Sequence, residues 1–302
     1  MTKQRITGVI AAIPTPINSA GDPDHGRLLM LARHLLDNGC DGLNLLGTTG
    51  EATSFTAEQR MGVMSAVAEG GLPLDRLMVG TGAAAVGDAV RLSSHAAELG
   101  FAGVLVLPPF YYKGVPDAGI VDYIGSIAEA TAEGNIPIYL YNFPALSGVS
   151  YTVALVAELV RTYGSRIAGL KDSSGDVPYA REIAAISPDL DVFPSSEANL
   201  IEARTGVFAG CISATASLNA GECALAFHEG NTDALAKAIA IRAVFDGLPL
   251  IPGIKLLIAD TQDDPAFAAT KPPLGNLTAA QAATLRERFA VARAISTEGV
   301  TA

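Results

Sequence analysis

Short apolar runs, each closed by glycine, proline or a polar cluster, recur through the first two thirds of the chain. They are Ile6–Ile13, Gly42–Leu46, Leu77–Gly80, Gly103–Leu107, Pro137–Tyr141, Ile167–Leu170, Val192–Pro194 and Gly210–Ser213. Between them the apolar spacing turns helical: Leu28, Leu31, Leu35 and Leu36 share one face, Met61, Met64 and Val67 another. Ala89, Leu92, Ala96 and Leu99 make a third, and Leu155, Val156, Leu159 and Val160 a fourth. Asp117 and Thr152 stand where helix N-caps are expected. Strands that are apolar on both faces and alternate with helices predict a parallel sheet covered on its outer side. Repeating that unit through eight strands fits a closed α/β barrel, the (β/α)8 TIM barrel, better than an open sheet.

After Ser213 the strand pattern stops. Alanine-rich helical segments follow at Ala220–His228, Asp233–Asp246, Ile254–Ala259 and Ala279–Ala294, broken at Pro249 and Pro252 and again at Lys271-Pro-Pro-Leu-Gly275. The expected division is a barrel over residues 1–228 that carries the active site and a C-terminal helical segment over 229–302.

Composition narrows the function. Of 302 residues, 49% are apolar and 17% charged, enough to build a large core and too few charges for a disordered chain. A net charge of −11 without any cluster of Lys and Arg argues against nucleic acid. No apolar run approaches the roughly 18 residues that suggest a membrane-spanning helix, so no membrane partner is expected. The three cysteines, Cys40, Cys211 and Cys223, form no CxxC pair and fit buried, reduced thiols in a cytoplasmic protein. The four histidines show neither HxxxH nor HExxH spacing, so no metal site is expected.

In a barrel of this kind chemistry gathers at the C-terminal ends of the strands. Those ends carry Gly47-Thr48-Thr49-Gly50-Glu51, Gly80-Thr-Gly82, Pro108-Pro-Phe-Tyr111-Tyr112-Lys113, Tyr141-Asn142, Lys171, Ser195-Ser196-Glu197 and Ser213-Ala-Thr215. The Gly47–Gly50 loop, with two hydroxyls and several backbone N–H groups, would cradle a carboxylate; it reads equally as a βα turn capped by threonine. Gly80-Thr-Gly-Ala-Ala-Ala85 matches a relaxed dinucleotide-binding pattern, but no carboxylate stands about 20 residues on, where the ribose would need one. Ser195, Ser196 and Glu197 could rim a substrate or cap the next helix. Lys171, directly after an apolar strand, either snorkels to water or is desolvated as an amine nucleophile. Phenols at two neighbouring strand ends beside that lysine fit proton transfer.

Four motifs, in order and at family spacing, decide between these readings: Gly47-Thr-Thr-Gly-Glu51, Pro109-Phe-Tyr-Tyr112, Tyr141-Asn-Phe-Pro144 and Gly169-Leu-Lys-Asp172. Together they resemble the dihydrodipicolinate synthase / N-acetylneuraminate lyase family of pyruvate-dependent class I aldolases, over about Gly8 to Ser217. The resemblance implies that Lys171 forms a Schiff base with the keto carbon of pyruvate, with Tyr141 as general acid/base. It implies a hydrogen-bonded link through Thr48 to Tyr112, the latter lent by a neighbouring subunit, and hence a homo-oligomer, a dimer or a tetramer. Thr49 and Gly47 would hold the pyruvate carboxylate, and Ser173, Ser195, Glu197 and Ile212 would complete the substrate contacts. No metal or organic cofactor is implied; the expected partners are pyruvate and an aldehyde, or the corresponding keto acid.

Departures from the family pattern bear on the aldehyde half. Lysine-pathway synthases carry an arginine two residues after the YNxP proline; here that place is Leu146, which has no fork for a carboxylate. The sialic-acid lyases use an acidic pair and a serine where this chain has Glu197-Ala198 and Ala214. The resemblance therefore implies a Schiff-base aldolase or dehydratase acting on a small 2-keto-3-deoxy or 4-hydroxy-2-oxo acid. The alternatives are 4-hydroxy-tetrahydrodipicolinate synthase, N-acetylneuraminate lyase, or a keto-acid sensor without turnover.

Overall fold

In a computed structural model, which describes residues 5–296, the eight runs form one parallel sheet. Its strands are β1 (Gly8–Ala12), β2 (Gly42–Leu45), β3 (Leu77–Gly80), β4 (Gly103–Val106), β5 (Ile138–Asn142), β6 (Ile167–Asp172), β7 (Asp191–Pro194) and β8 (Gly210–Ser213). From β1 to β7 each strand pairs with the next, and β1 also pairs with β8. The seam between β7 and β8 is bridged where the Ala209 N–H donates to the Val192 carbonyl at 2.9 Å, so the sheet closes into the TIM barrel.

Helices cover the outside: α1 (His25–Asp37), α2 (Ala57–Glu69), α3 (Val86–Leu99), α4 (Asp117–Ala130), α5 (Pro144–Ser147), α6 (Val153–Tyr163), α7 (Val177–Ala184), α8 (Leu200–Arg204) and α9 (Ala216–Ala224). After α9 the helix widens into a π-turn over Leu225–Glu229, and α10 (Thr232–Ala243), α11 (Leu250–Gln262) and α12 (Ala279–Arg293) follow. None of the described helices is long and apolar enough to cross a membrane.

Two cores result. The larger lies between strands and helices and takes in the expected apolar faces, with Leu28, Leu31 and Leu35 of α1 and Leu155, Val156 and Leu159 of α6 all buried. The smaller fills the barrel itself, where Ile10, Met78, Leu105, Tyr139, Phe193 and Ile212 interdigitate. The described cysteines are buried and unpaired, and burial pushes the Cys40 thiol up to about 12, which removes it from thiolate chemistry.

Three expectations shift. Strand β6 runs on through Lys171 and Asp172, because both residues keep ladder partners: Tyr141 and Asn142 on β5, Phe193 and Pro194 on β7. Asp117 is not an N-cap; Pro116 holds that position and Asp117 supplies charge to the first turn of α4. Thr152 does cap α6, accepting from the Leu155 N–H at 3.2 Å. Pro252 does not break a helix, since it lies in the first turn of α11, where backbone N–H groups have no helical acceptor.

The inward face of β6 is tightly spaced. A Cβ on Gly169 would lie 2.1 Å from the Asp191 carbonyl oxygen and 2.7 Å from the Tyr139 ring, so the glycine permits the close strand packing beneath Lys171. Gly169→Ala is expected to cost at least about 2 kcal/mol of stability, seen as a lower urea midpoint; an unchanged midpoint would refute this packing account.

Candidate active site

Residues Tyr141 and Lys171 are register partners on β5 and β6. Parallel neighbours in register project their side chains to the same face, and both side chains are buried. The Lys171 ammonium sits over the Tyr141 ring, 4.3 Å from its centroid. The adjacent acid, Asp172, is occupied elsewhere: it accepts from Asn142 Nδ2 at 2.8 Å and from the Ser174 hydroxyl at 2.8 Å. Lys171 therefore has an aromatic neighbour, and its sequence-adjacent carboxylate is already committed.

The phenol end of Tyr141 meets the β2 loop. Thr48 Oγ1 lies 3.2 Å from the Tyr141 hydroxyl, within hydrogen-bond distance. Gly47 lets this loop fold over the strand beneath it, since a Cβ there would come within 2.6 Å of the Asn44 amide nitrogen. Glu51 closes the loop in a left-handed conformation (φ 54°) and is fully buried with Lys255 of α11. Its second oxygen accepts the Lys271 N–H at 2.8 Å. Desolvation draws the Lys255 ammonium below the usual lysine range, against the opposing pull of Glu51. A buried acid–base pair thus ties the threonine loop to the C-terminal helices.

Above these groups lies a cavity of about 290 Å³. Gly47, Thr48 and Tyr141 line it, Leu146 stands at it with 65% of its surface exposed, and Ile251 and Leu274 cover it from the C-terminal segment. Arg60, on the buried face of α2, lines it too.

Other candidates lie apart from this cavity. Thr49 is buried next to Thr48 but does not line it, and neither does Lys171, which sits over the Tyr141 ring. The Ser173 N–H donates to the Asn142 carbonyl at 2.8 Å. Ile212 belongs to the barrel filling. Glu197 is fully buried, with one oxygen taken by Ser213 (2.7 Å) and Thr215 and the other by Arg242 Nη1 at 3.1 Å. The same Arg242 nitrogen donates to the Ser195 carbonyl at 2.9 Å. Glu197 is therefore neither a helix cap nor a free rim group; it anchors β7 and β8 to α10. Tyr112 is 71% exposed and stacks edge-on with Tyr111 at 5.2 Å, while the Thr48 hydroxyl of its own chain is paired with Tyr141.

Two features of this region escaped sequence reasoning. Arg60 could have been found, because it sits on the apolar stripe with Val63, Met64 and Val67, an odd place for a charge. The Glu51–Lys255 pair left no local signal, its members lying 204 residues apart.

Comparison with known proteins identifies the family and supports the fold. Residues 5–257 match the model of the dihydrodipicolinate synthetase family. An uncharacterized DapA-like lyase of Chloroflexus aurantiacus is 33% identical over 277 residues, 89% of this chain and 92% of that protein. The structure of dihydrodipicolinate synthase from Agrobacterium tumefaciens superposes with a TM-score of 0.88 at 26% identity, covering 94% of this chain and 99% of that one. YagE from E. coli K12, a prophage protein of the same family solved in complex with pyruvate, gives 0.86 at 26% identity, covering 96% and 99%.

Replacing Lys255 alone (Lys255→Met) would strand the Glu51 carboxylate in the interior. A loss of about 3–5 kcal/mol in urea unfolding is expected, and a cost below about 1 kcal/mol would mean that water replaces the lysine. The strand-end constellation and these matches together make the chain a member of the dihydrodipicolinate synthetase family, and a lyase.

Proposed function

We propose that this lyase makes or releases pyruvate through a Schiff base on Lys171, with Tyr141 moving the proton. The observation that carries the reading is the in-register pair itself: an amine held 4.3 Å from the centre of a phenol ring whose hydroxyl is 3.2 Å from Thr48. In the condensing direction the Lys171 amine adds to the keto carbon of pyruvate and water leaves, giving an iminium. The iminium draws electrons from the adjacent methyl carbon, and Tyr141, having given its phenol proton to the carbinolamine hydroxyl that left as water, takes the proton that departs. The resulting enamine attacks the aldehyde carbon, Tyr141 returns its proton to the new alkoxide, and water hydrolyses the regenerated iminium to release the 4-hydroxy-2-oxo acid from Lys171. Cleavage runs the same steps backwards. Thr48 orients the Tyr141 hydroxyl, while Thr49 and the backbone of the Gly47 loop are suited to the pyruvyl carboxylate.

The exposure of Tyr112 supports a second element of the reading. A large phenol projecting into solvent beside another tyrosine is poised to complete the Thr48–Tyr141 pair in a neighbouring copy, so the working form is a homo-oligomer, dimeric or tetrameric. Buried, unpaired thiols suit a cytoplasmic setting. The substrate is a small 2-keto-3-deoxy or 4-hydroxy-2-oxo acid, since Leu146 offers no charge at the cavity mouth.

Borohydride reduction in the presence of pyruvate should leave a stable adduct that peptide mapping places on Lys171. An adduct elsewhere, or none, would sink the mechanism. Tyr141→Phe should keep the adduct but slow turnover by about 10²–10⁴-fold, the range expected for loss of a general acid/base; a change under tenfold would remove Tyr141 from proton transfer. Mixing and refolding Tyr141→Phe with Tyr112→Phe chains should restore activity that neither parent shows. If the hybrid stays as inactive as its parents, the phenol is not exchanged between subunits.

A further inference from the structure

The loop that carries Thr48 is wound more tightly than ordinary residues prefer. Leu46 (φ 51°) and Glu51 (φ 54°), which bracket it, both lie in the left-handed region. A side chain held there costs free energy, and it persists only where the surroundings over-determine it. Inside the loop the Glu51 N–H donates to the Thr48 carbonyl at 3.0 Å, and the Ala52 N–H to the Gly47 carbonyl at 3.2 Å. The backbone of Thr48 is thus held directly by the backbone of Glu51.

What holds Glu51 arrives from the other end of the chain. Its buried carboxylate is paired with the Lys255 ammonium and accepts the Lys271 N–H at 2.8 Å. Lys271 is itself fixed, its ammonium donating to the Gly21 carbonyl at 2.7 Å. These partners belong to the pieces that roof the cavity: Ile251 stands one turn before Lys255 on α11, and Pro273 and Leu274 come just after Lys271. Both halves of the roof are therefore fastened to the threonine loop at a single side chain. A buried carboxylate has given up its hydration, so the few donors that replace water decide where it sits.

We infer that Glu51 is a positioning residue for proton transfer, which it serves by fixing Thr48, the group that orients the Tyr141 phenol. The C-terminal segment then governs the rate of a reaction to which it contributes no reacting group. The inference rests on the Schiff-base reading above and deepens it. The Thr48 and Tyr141 hydroxyls are 3.2 Å apart, and a loop displacement of about 1 Å would carry them beyond hydrogen-bond reach. A carboxylate that served only to neutralise Lys255 would act on stability alone, with no special connection to the Thr48 hydroxyl.

Leaving out the aldehyde isolates the step. In D2O the enamine made from pyruvate takes back a deuteron in place of the proton that Tyr141 removed, so loss of the methyl proton NMR signal follows that transfer. The unaltered enzyme must first trap pyruvate on Lys171 under borohydride and exchange its methyl protons; failure of either removes the Schiff-base reading itself. With both established, Glu51→Leu combined with Lys255→Met replaces the buried pair by apolar groups of similar volume and strands no charge. Its urea midpoint should stay near that of the parent, while exchange slows by about 10²-fold, the cost of roughly 1 Å of misplacement. In a Thr48→Val background the same pair of changes should cost less than about threefold, because the hydroxyl through which Glu51 acts is already gone. Exchange at the parental rate would overturn the inference, and so would equal losses with and without the Thr48 hydroxyl. Glu51→Asp, which keeps the charge and shortens the tether by one methylene, gives a second arm should the apolar pair not fold. It should slow exchange by about tenfold or more when Thr48 is present and by less than about threefold in Thr48→Val. A Glu51→Asp enzyme of parental rate, or with the same loss in both backgrounds, would mean that the carboxylate only neutralises the lysine.

Discussion

Everything at this site depends on one ladder. Strands β5 and β6 pair in parallel so that Tyr141 faces Lys171 and Asn142 faces Asp172. Because successive residues alternate between faces, the same register that sends the amine and the phenol into the barrel sends the acid and the amide outward, where they bond each other at 2.8 Å. The carboxylate next to the lysine in sequence is thereby kept from becoming its ion-pair partner. A slip of β6 by one residue would break both pairs and bring the acid to the interior in place of the amine. The Gly169 packing below and the Phe193 partner across from Lys171 hold that register from both sides.

Much of this was legible in the sequence, for definite reasons. Doubly buried strands must be continuously apolar, so Gly103–Val106 and Gly210–Ser213 announce themselves with their ends nearly in place. The end of β6 was less visible, because Lys171 and Asp172 look like loop residues until their ladder partners on two neighbouring strands are known. Thr152 read correctly as a cap since its role is local, whereas Asp117 lost its role to Pro116 one residue earlier. Charge placement was the least legible. Glu197 looked available from its strand-end position, and only Arg242 on α10, with Ser213 and Thr215, shows that its oxygens are spent. Spacing along one segment carries no information about partners that arrive from another.

Division of labour around the barrel mouth follows from the same charges. The β7–β8 side is sealed by the Glu197–Arg242 network, the β5–β6 edge carries the amine and phenol, and the β2–β4 side opens into the cavity. Polar groups that are mutually satisfied build walls; those left unsatisfied mark where a ligand fits. By that criterion the sealed and receptive sectors of one ring of strand ends can be told apart without reference to any bound molecule.

The bond between Glu51 and Lys255 has a bearing on how the chain comes into being. The carboxylate leaves the ribosome 204 residues before the ammonium that neutralises it, and Lys271, whose N–H takes its other oxygen, comes later still. All eight strands can be synthesised while the loop bearing Thr48 still has an unpartnered acid at its hinge. During that interval water is the only available partner for the carboxylate, so the loop has reason to stay solvated. The loop can therefore reach its buried, fully bonded form only after the last helices dock, which makes its closure a late event in the life of the chain.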